Sequence, residues 1–452
     1  MEKLLFIVLV ITEIVFAAWT IKKKTSKKKW SVSRTAANAA ELLVYLIMLI
    51  LPGIDFSFRF KGLFILLVIR ILISVIVFAA SRKNEKSKKS SRIVWGTVFG
   101  IIMIALSMIP AFIFRDYTGR PVSGPYSVAQ SRAILIDETR LEENENDGSF
   151  REVPVYFFYP ECIDELDEES LPLVMFSHGA FGYYESNAST YLELASNGYI
   201  VVSIEHPYHS LFTKDTNGKT ITVDPEFFAG AMDAGSKSEA EVYGITSGWM
   251  EIREADMNFA LDTIIHSAET GELGDEWFLT EDSEDAFTKI LSGIDTDKIG
   301  LMGHSLGGAT AVTVGRREDV SAVIDFDGTM IGEEIGFENG NIIVNPVPYD
   351  TPILCFDSAS HHADRVLAEE IGYVYSNNVI MDNAAEGYSV YFEGTAHMNF
   401  TDLPLFSPFL AKNLGMGDRD PGECIDKINS ITLKFFDRYL KGIGDFEVDE
   451  KY

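Results

Sequence analysis

The chain of 452 residues is longer than one ordinary domain, and its 38 basic residues against 67 acidic ones give a formal net charge of −29. Residues 1–115 contain 18 Lys/Arg and 5 Asp/Glu, whereas the remainder contains 20 and 62. This charge argues against nucleic acid as a partner, because phosphate binding requires clustered cations. The imbalance predicts a basic, apolar N-terminal region followed by a strongly acidic domain.

Four apolar stretches occupy the N-terminal region, at about residues 4–21, 37–54, 62–80 and 93–114. Each approaches the roughly 20 residues that a helix needs to cross a bilayer, so residues 1–115 are predicted to form an all-α, four-helix transmembrane region. Lysines follow the first stretch directly, whereas the charge of a cleaved signal peptide precedes its apolar segment. We expect an integral membrane protein.

Basic runs mark two connections in this region, at residues 22–29 and 82–92. Such runs are retained in the cytoplasm, which predicts a multi-pass cell-membrane protein with both termini and the acidic domain on the extracytoplasmic side. Arg70 falls inside the third stretch, where a charge is costly. Snorkelling, or pairing with Glu13 or Glu41, explains it better than a transport role.

A linker is predicted over residues 116–126, and a separate domain over residues 127–452. Residues 127–160 alternate as strands, and short apolar runs then alternate with helical patterns. This order indicates an α/β domain with a mostly parallel sheet covered by helices on both faces. Strands are predicted at 173–176, 200–204, 299–302, 322–326, 353–356 and 388–392, and helices at 189–197, 251–266, 307–316, 362–369 and 426–441.

Residues 209–248 interrupt this pattern with an irregular segment rich in Gly, Asp, Thr and aromatic residues. Long loops within compact domains are often functional. We interpret the segment as a cap-like insertion over the active site, with an ordinary surface insertion as the alternative.

Three cysteines are too few and too irregularly spaced for a disulfide framework or a zinc site. Cys355 lies in an apolar run and is predicted to be a core residue. A bridge between Cys162 and Cys424 would require an oxidising compartment and remains an open alternative. No metal or organic cofactor is expected.

The sequence Gly303-His304-Ser305-Leu306-Gly307 lies between a predicted strand and a predicted helix. That context is what distinguishes a nucleophile elbow from a chance match, because the turn exposes the serine hydroxyl above the sheet. Ser305 is therefore the candidate nucleophile.

A serine nucleophile needs a base, and in this type of fold the order along the chain is nucleophile, acid, histidine. Of the three histidines after Ser305, His361 and His362 lie near a helix start, whereas His397 lies in a loop after the last predicted strand. His397 is the expected base.

The candidate acids follow two successive strands. Asp325 is predicted to face a packed side of the sheet, whereas Asp327 leaves the strand at a glycine turn on the same sheet edge as Ser305. Asp327 is preferred, with Asp357 at the end of the next strand as the alternative.

An oxyanion hole requires two backbone donors, one of them from the residue after the nucleophile. That residue is Leu306. The loop Ser177-His178-Gly179-Ala180 follows an earlier strand, and its small residues suit Ala180 as the second donor, although a simple glycine-rich turn would look similar.

These segments together resemble the platelet-activating factor acetylhydrolase family of the calcium-independent plasma type, and more broadly its dienelactone-hydrolase-like bacterial relatives. The resemblance covers about residues 150–442 and includes Ser177-His178-Gly179, residues 194–206, residues 303–310, Asp327-Gly328 and residues 394–402. It implies an α/β-hydrolase fold, Asp327 as the acid and Ala180 and Leu306 as oxyanion donors. The cap-like segment shows no match, and the four spans are foreign to the secreted plasma enzymes.

The chain is thus expected to be a membrane-anchored serine ester hydrolase that acts on a lipid or other ester, with an acyl-enzyme formed through Ser305, Asp327 and His397. Short-acyl phospholipids are the substrates that the resemblance implies. Two alternatives remain: an extracytoplasmic acyltransferase, and a catalytically silent membrane binding protein with this fold. The intact set of three residues argues against the silent form. Fold alone leaves the substrate and the oligomeric state undetermined.

Overall fold

The computed structural model describes residues 1–51, 53–117, 119–280 and 282–452, so that Pro52 of the predicted second span and Thr118 of the predicted linker lie outside it. The chain divides into two compact units. The first comprises Met1–Tyr117 and Phe406–Leu410, and the second comprises Thr118–Leu405 and Ala411–Tyr452.

In the described part of the first unit, four helices are long and apolar enough to cross a membrane. They are α1 (Glu2–Lys22), α2 (Lys27–Ile50), α3 (Phe58–Ser81) and α4 (Ser90–Ile113). Helix α2 begins ten residues before the predicted apolar stretch, because Ser26 caps its N-terminus and polar residues continue the helix beyond the apolar segment.

Buried charges inside the first unit are paired. Glu13 of α1 receives two hydrogen bonds from Arg34 of α2, at 2.6 and 2.7 Å. Arg70 of α3 contacts Glu13 as well, and its Nη1 lies 3.0 Å from Glu41 of α2. Arg70 is therefore paired with both predicted partners, and three helices are joined by ion pairs that would be costly to break in an apolar surrounding.

The two lysine-rich connections of the first unit lie side by side. The main-chain N–H of Lys27 donates to the carbonyl of Lys86 at 3.0 Å, and that of Lys88 donates to Thr25 at 3.1 Å. Both connections therefore lie at the same end of the helices.

Among its described residues, the second unit is built on a nine-stranded sheet with the order β13-β12-β9-β8-β3-β4-β2-β1-β7. The six strands from β13 to β4 are parallel, and β2, β1 and β7 extend the sheet in antiparallel pairing. The strands are β1 (Val128–Leu141), β2 (Phe150–Pro160), β3 (Leu171–Ser177), β4 (Ile200–Ile204), β5 (Phe212–Lys214), β6 (Thr220–Thr222), β7 (Trp277–Leu279), β8 (Ile294–His304), β9 (Val320–Phe326), β10 (Glu334–Glu338), β11 (Asn341–Val344), β12 (Ile353–Ser358) and β13 (Gly387–Phe392).

Helices cover both faces of this sheet, as the alternation of strands and helices predicted. One core cluster packs α7, α8 and α9 against the sheet, and the other packs α5 and α14. The helices of this unit are α5 (Ala188–Ser196), α6 (Pro225–Asp233), α7 (Glu239–Thr270), α8 (Glu284–Ser292), α9 (Leu306–Val314), α10 (Ala359–Ile371), α11 (Ser376–Asp382), α12 (Leu403–Phe406), α13 (Pro408–Asn413) and α14 (Pro421–Lys441).

The irregular segment 209–248 contains regular structure. Strands β5 and β6 pair as a hairpin, α6 follows, and α7 begins twelve residues before its predicted start. A capping box formed by Ser238 and Glu241 begins α7 there. Glycines and polar residues in this part of α7 obscure the helical period.

The C-terminal half of the predicted linker packs on α5. The N–H of Ser123 donates to Glu193 at 2.9 Å, and the N–H of Tyr126 donates to the Ser196 carbonyl at 3.1 Å.

All three cysteines are free, so that no bridge joins Cys162 to Cys424, and Cys355 is fully buried in the core.

Candidate active site

The parallel strands β3, β8, β9, β12 and β13 end at one edge of the sheet, and every predicted site residue follows one of them. The carboxyl edge of a parallel sheet is where ligands bind in this architecture, because loops from successive strands meet there.

Ser305 occupies a sharp turn between β8 and α9. Its φ of 56° and ψ of −123° place a non-glycine residue in a strained left-handed conformation, which is a feature of functional turns. The turn closes tightly, because a Cβ at Gly303 would overlap the carbonyl of Gly307 and a Cβ at Gly307 would overlap the carbonyl of Ser177. The Ser305 side chain is half-buried at the start of α9.

Asp327 and His397 are in contact. The Nδ1–H of His397 donates to Asp327 Oδ2 at 2.8 Å, and the N–H of Ser358 donates to Oδ1 at 2.5 Å. Burial alone would raise the pKa of Asp327, but the facing His361 and His397 imidazoles hold it well below its usual range. Asp327 is therefore a buried anion that fixes the ring of His397 with Nε2 as the free nitrogen.

The other two candidate carboxylates do not contact His397. Asp325 is fully buried and accepts the N–H of Gly328 at 2.9 Å, and burial raises its pKa well above the usual value. Asp357 is paired with Arg365 and lies 3.2 Å from His361 Nδ1. Of the three acids, Asp327 is the one that the structure joins to the predicted base.

Ser305 and His397 lie on neighbouring loops without a hydrogen bond between them in the described part of the chain. The ring of His304 packs on that of His397, with 4.6 Å between centroids, and its Nε2–H donates to the His397 carbonyl at 3.3 Å. Burial lowers the pKa of His304 to about 3, so this ring is neutral. Catalytic hydrogen bonds are often long in free enzymes and shorten when substrate binds.

The predicted oxyanion donors lie together beside Ser305. Leu306 begins α9, and Ala180 packs in the same small apolar cluster. A Cβ at Gly179 would lie 3.1 Å from the Cβ of Ser305, which brings the peptide bond from Gly179 to Ala180 against the nucleophile. Among the described residues, neither the Ala180 nor the Leu306 amide donates to a backbone carbonyl.

An apolar wall adjoins these donors. Phe227 of α6 packs with Leu306, and its ring contacts Trp249 of α7 at 4.8 Å between centroids. Phe181 lies 5.4 Å from Phe227 and 5.1 Å from Phe228, whose side chain is half-exposed. Residues of the 209–248 segment therefore lie next to the candidate nucleophile.

The sequence analysis missed two fully buried charges on α7, Arg253 and Asp256. Asp256 accepts two hydrogen bonds from Arg151, at 2.7 and 3.0 Å, and contacts His206 at 2.9 Å. Arg253 donates to the carbonyl of His178 at 2.6 Å. The signal for Arg253 was its spacing, because Met250, Arg253, Met257 and Ile264 lie on one buried face of the helix.

Asp327, Asp357 and His361 place potential ligand atoms within 4.8 Å of one another, which is close enough for a metal ion. Their donor atoms already serve other charges, since Asp327 faces His397 and Asp357 pairs with Arg365. A cation there would compete with His397 for the same carboxylate.

Comparison with known proteins identifies one family. The profile of "Platelet-activating factor acetylhydrolase, isoform II" matches residues 164–451. The platelet-activating factor acetylhydrolase of Bos taurus is 25% identical over 297 residues, which cover 62% of this chain and 59% of the bovine protein. That of Gallus gallus is 22% identical over 310 residues, which cover 62% and 64%. The chain therefore spans about three fifths of the length of these relatives.

A solved structure shares the fold. The ferulic acid esterase from Streptomyces cinnamoneus superposes with a TM-score of 0.52 at 18% sequence identity, over 73% of this chain and 95% of the esterase. At that identity the likeness concerns the fold, which is the α/β-hydrolase fold expected from the sequence.

Proposed function

The chain belongs to the platelet-activating factor acetylhydrolase isoform II family, and we propose that it is a membrane-anchored serine hydrolase of carboxylic esters. The observation that carries the proposal is the bond from His397 to the buried Asp327 at the sheet edge that also holds Ser305. Family membership alone would leave the activity of this chain undetermined.

In the proposed reaction, Ser305 Oγ attacks the ester carbonyl while His397 Nε2 takes its proton. The N–H groups of Ala180 and Leu306 stabilise the oxyanion of the tetrahedral intermediate. Collapse of the intermediate transfers the proton from His397 to the leaving alcohol and leaves the acyl group on Ser305. Water, activated by His397, then releases the acid and restores the hydroxyl.

The proposed substrates are lipid esters, with short-acyl phospholipids first among them. An aromatic wall lies beside Leu306, and its presence supports a substrate with an apolar acyl group. The wall is formed by Phe181, Phe227, Phe228 and Trp249. The names of the family and of its vertebrate relatives support an acetyl-type ester.

We expect the detergent-solubilised protein to hydrolyse p-nitrophenyl esters with a kcat/KM that falls as the acyl chain lengthens beyond a few carbons. Phe228→Ala should relax this preference by about tenfold for longer chains, because it removes a half-exposed ring from the wall. Phe278→Ala, which truncates a ring of similar exposure on β7, is the matched control. A wild-type preference for long chains would contradict the short-acyl proposal.

We further propose that α1 to α4 anchor the protein in the cell membrane with the second unit on the extracytoplasmic side. The length and apolar character of the four helices support the anchor. The two paired basic connections at one end of these helices support a cytoplasmic location for that end.

Accessibility of introduced cysteines tests this topology. In a background with Cys162→Ser, an impermeant maleimide applied to intact cells should label a Glu272→Cys variant and should label a Ser87→Cys variant only after permeabilisation. Both positions are exposed in the structure. The reverse pattern would contradict the proposed orientation.

A further inference from the structure

Arg253 is a buried cation whose donors face main-chain and neutral side-chain acceptors. It is fully buried, and none of the ion pairs among residues 119–280 and 282–452 includes it. Its Nη1 donates to the carbonyl of His178 at 2.6 Å, and its Nη2 donates to the carbonyl of Gly179 at 3.4 Å. Removing such a charge from water is costly, so its placement indicates a specific requirement for these contacts.

The Gly179 carbonyl has a second donor. It lies 2.6 Å from Nδ1 of His178, and since a carbonyl only accepts, Nδ1 carries the proton. Nε2 then accepts the N–H of His206 at 3.3 Å, and the Ser210 hydroxyl lies 2.9 Å away. Burial, with the nearby charge of Arg253, lowers the pKa of His178 well below its ordinary value, which agrees with a neutral ring.

The carbonyl of Gly179 and the N–H of Ala180 belong to one peptide group. Because that group is planar and trans, its C=O and N–H point in opposite directions. Two donors therefore fix the carbonyl on the buried side, and the N–H must face the other way. The same peptide lies against Ser305, since a Cβ at Gly179 would come within 3.1 Å of the serine Cβ.

We propose that Arg253 and His178 are positioning residues of the oxyanion hole, which act by holding the Gly179 carbonyl so that the N–H of Ala180 faces the reacting ester. This inference rests on the proposed hydrolase function. Neither side chain touches the substrate. Hydrogen bonds to the carbonyl also polarise the peptide, which strengthens its N–H as a donor.

The α6 segment is connected to the same arrangement. Arg253 Nε lies 3.3 Å from His209 Nδ1, and the ring of His209 stacks on Phe227 at 3.9 Å between centroids. The carbonyl of His209 accepts the N–H of Phe181 at 3.0 Å, one residue beyond the oxyanion donor. The loop that carries the N–H of Ala180 is therefore hydrogen-bonded on both sides of that residue, at Gly179 and at Phe181.

The test compares Arg253→Met, Arg253→Lys and His178→Leu with the wild type. Losing one oxyanion donor costs about 10²- to 10³-fold in kcat, so a misdirected one should cost about 10- to 100-fold, with KM within about threefold. Affinity for a trifluoromethyl ketone, whose adduct places an oxyanion in the same hole, should fall in parallel with kcat. Arg253→Lys should recover part of the loss, because its ammonium group keeps the charge and has donors for the carbonyls of His178 and Gly179.

Ser267→Ala is the matched control. It removes a fully buried hydroxyl of the same helix α7, which accepts the indole N–H of Trp277 at 2.9 Å and contacts neither Arg253 nor His178, and it should stay within about threefold of the wild-type kcat. Thermal melts establish which variants are folded. If Arg253→Met does not fold, Arg253→Lys and His178→Leu decide the matter.

The outcomes are distinct. Folded variants with unchanged kcat and unchanged ketone affinity, beside an active wild type, would overturn the positioning role alone. A similar loss in Ser267→Ala would also overturn it, because the effect would then follow general disruption of the buried hydrogen bonds of α7. A folded wild type without esterase activity would overturn the proposed function, and the positioning role with it.

Discussion

Ser305→Ala is expected to lower the turnover of ester substrates by about 10⁵- to 10⁶-fold and to abolish covalent labelling by a fluorophosphonate probe. The substitution removes only Oγ. Alanine and serine both carry a Cβ, so the strained φ of 56° at the turn is the same for both, and the fold should be retained. The residual rate would come from substrate binding and the oxyanion donors.

The measurement is gel fluorescence of the detergent-solubilised protein after probe treatment, together with the rate of ester hydrolysis. Ser292→Ala is the matched control, because its hydroxyl donates to a carbonyl of its own helix α8, which precedes strand β8, whereas Ser305 follows the other end of that strand. This control should label like the wild type. Equal labelling of Ser305→Ala and wild type would show that another residue is the nucleophile, and absence of labelling in a folded wild type would favour a silent binding protein.

Asp327→Asn should lower kcat by about 10³- to 10⁴-fold with little change in KM. The amide nitrogen of asparagine cannot accept the Nδ1–H of His397, which Asp327 Oδ2 now accepts at 2.8 Å. The imidazole would then favour the tautomer with Nε2 protonated, which cannot take the proton of Ser305. Asparagine tolerates the left-handed φ of 54° at this position, so the turn should persist.

Asp357→Asn provides the control, since Asp357 was the alternative acid. It removes the carboxylate that pairs with Arg365, so we expect lower thermal stability, because a buried cation loses its partner. The kcat of the folded protein should remain within about tenfold of the wild-type value. If Asp357→Asn were the more damaging to kcat while Asp327→Asn stayed active, the assignment of the acid would be reversed.

The strands of the second unit could be predicted from the sequence where an apolar run is also buried in the sheet. Among the parallel strands, β3, β4, β9 and β12 are short and buried on both faces, so their continuous apolar runs stand out from the polar segments around them. The short strands β5, β6 and β7 and the hairpin of β10 and β11 were not predicted. Each has exposed or half-exposed residues, so local composition did not distinguish it from a loop.

The sequence by itself determined the candidate nucleophile and base, because both depend on short-range signals: a glycine-flanked serine between strand and helix, and a histidine after the last strand. The contact of His397 with Asp327 rather than Asp325 or Asp357 was decided by the tertiary structure, since it depends on where the side chains of three neighbouring strand ends point. The role proposed for Arg253 also depends on the tertiary structure. Its partners lie more than forty residues away along the chain, and only the packing of α7 beneath the β3 loop brings a buried cation to the carbonyls that direct the oxyanion donor.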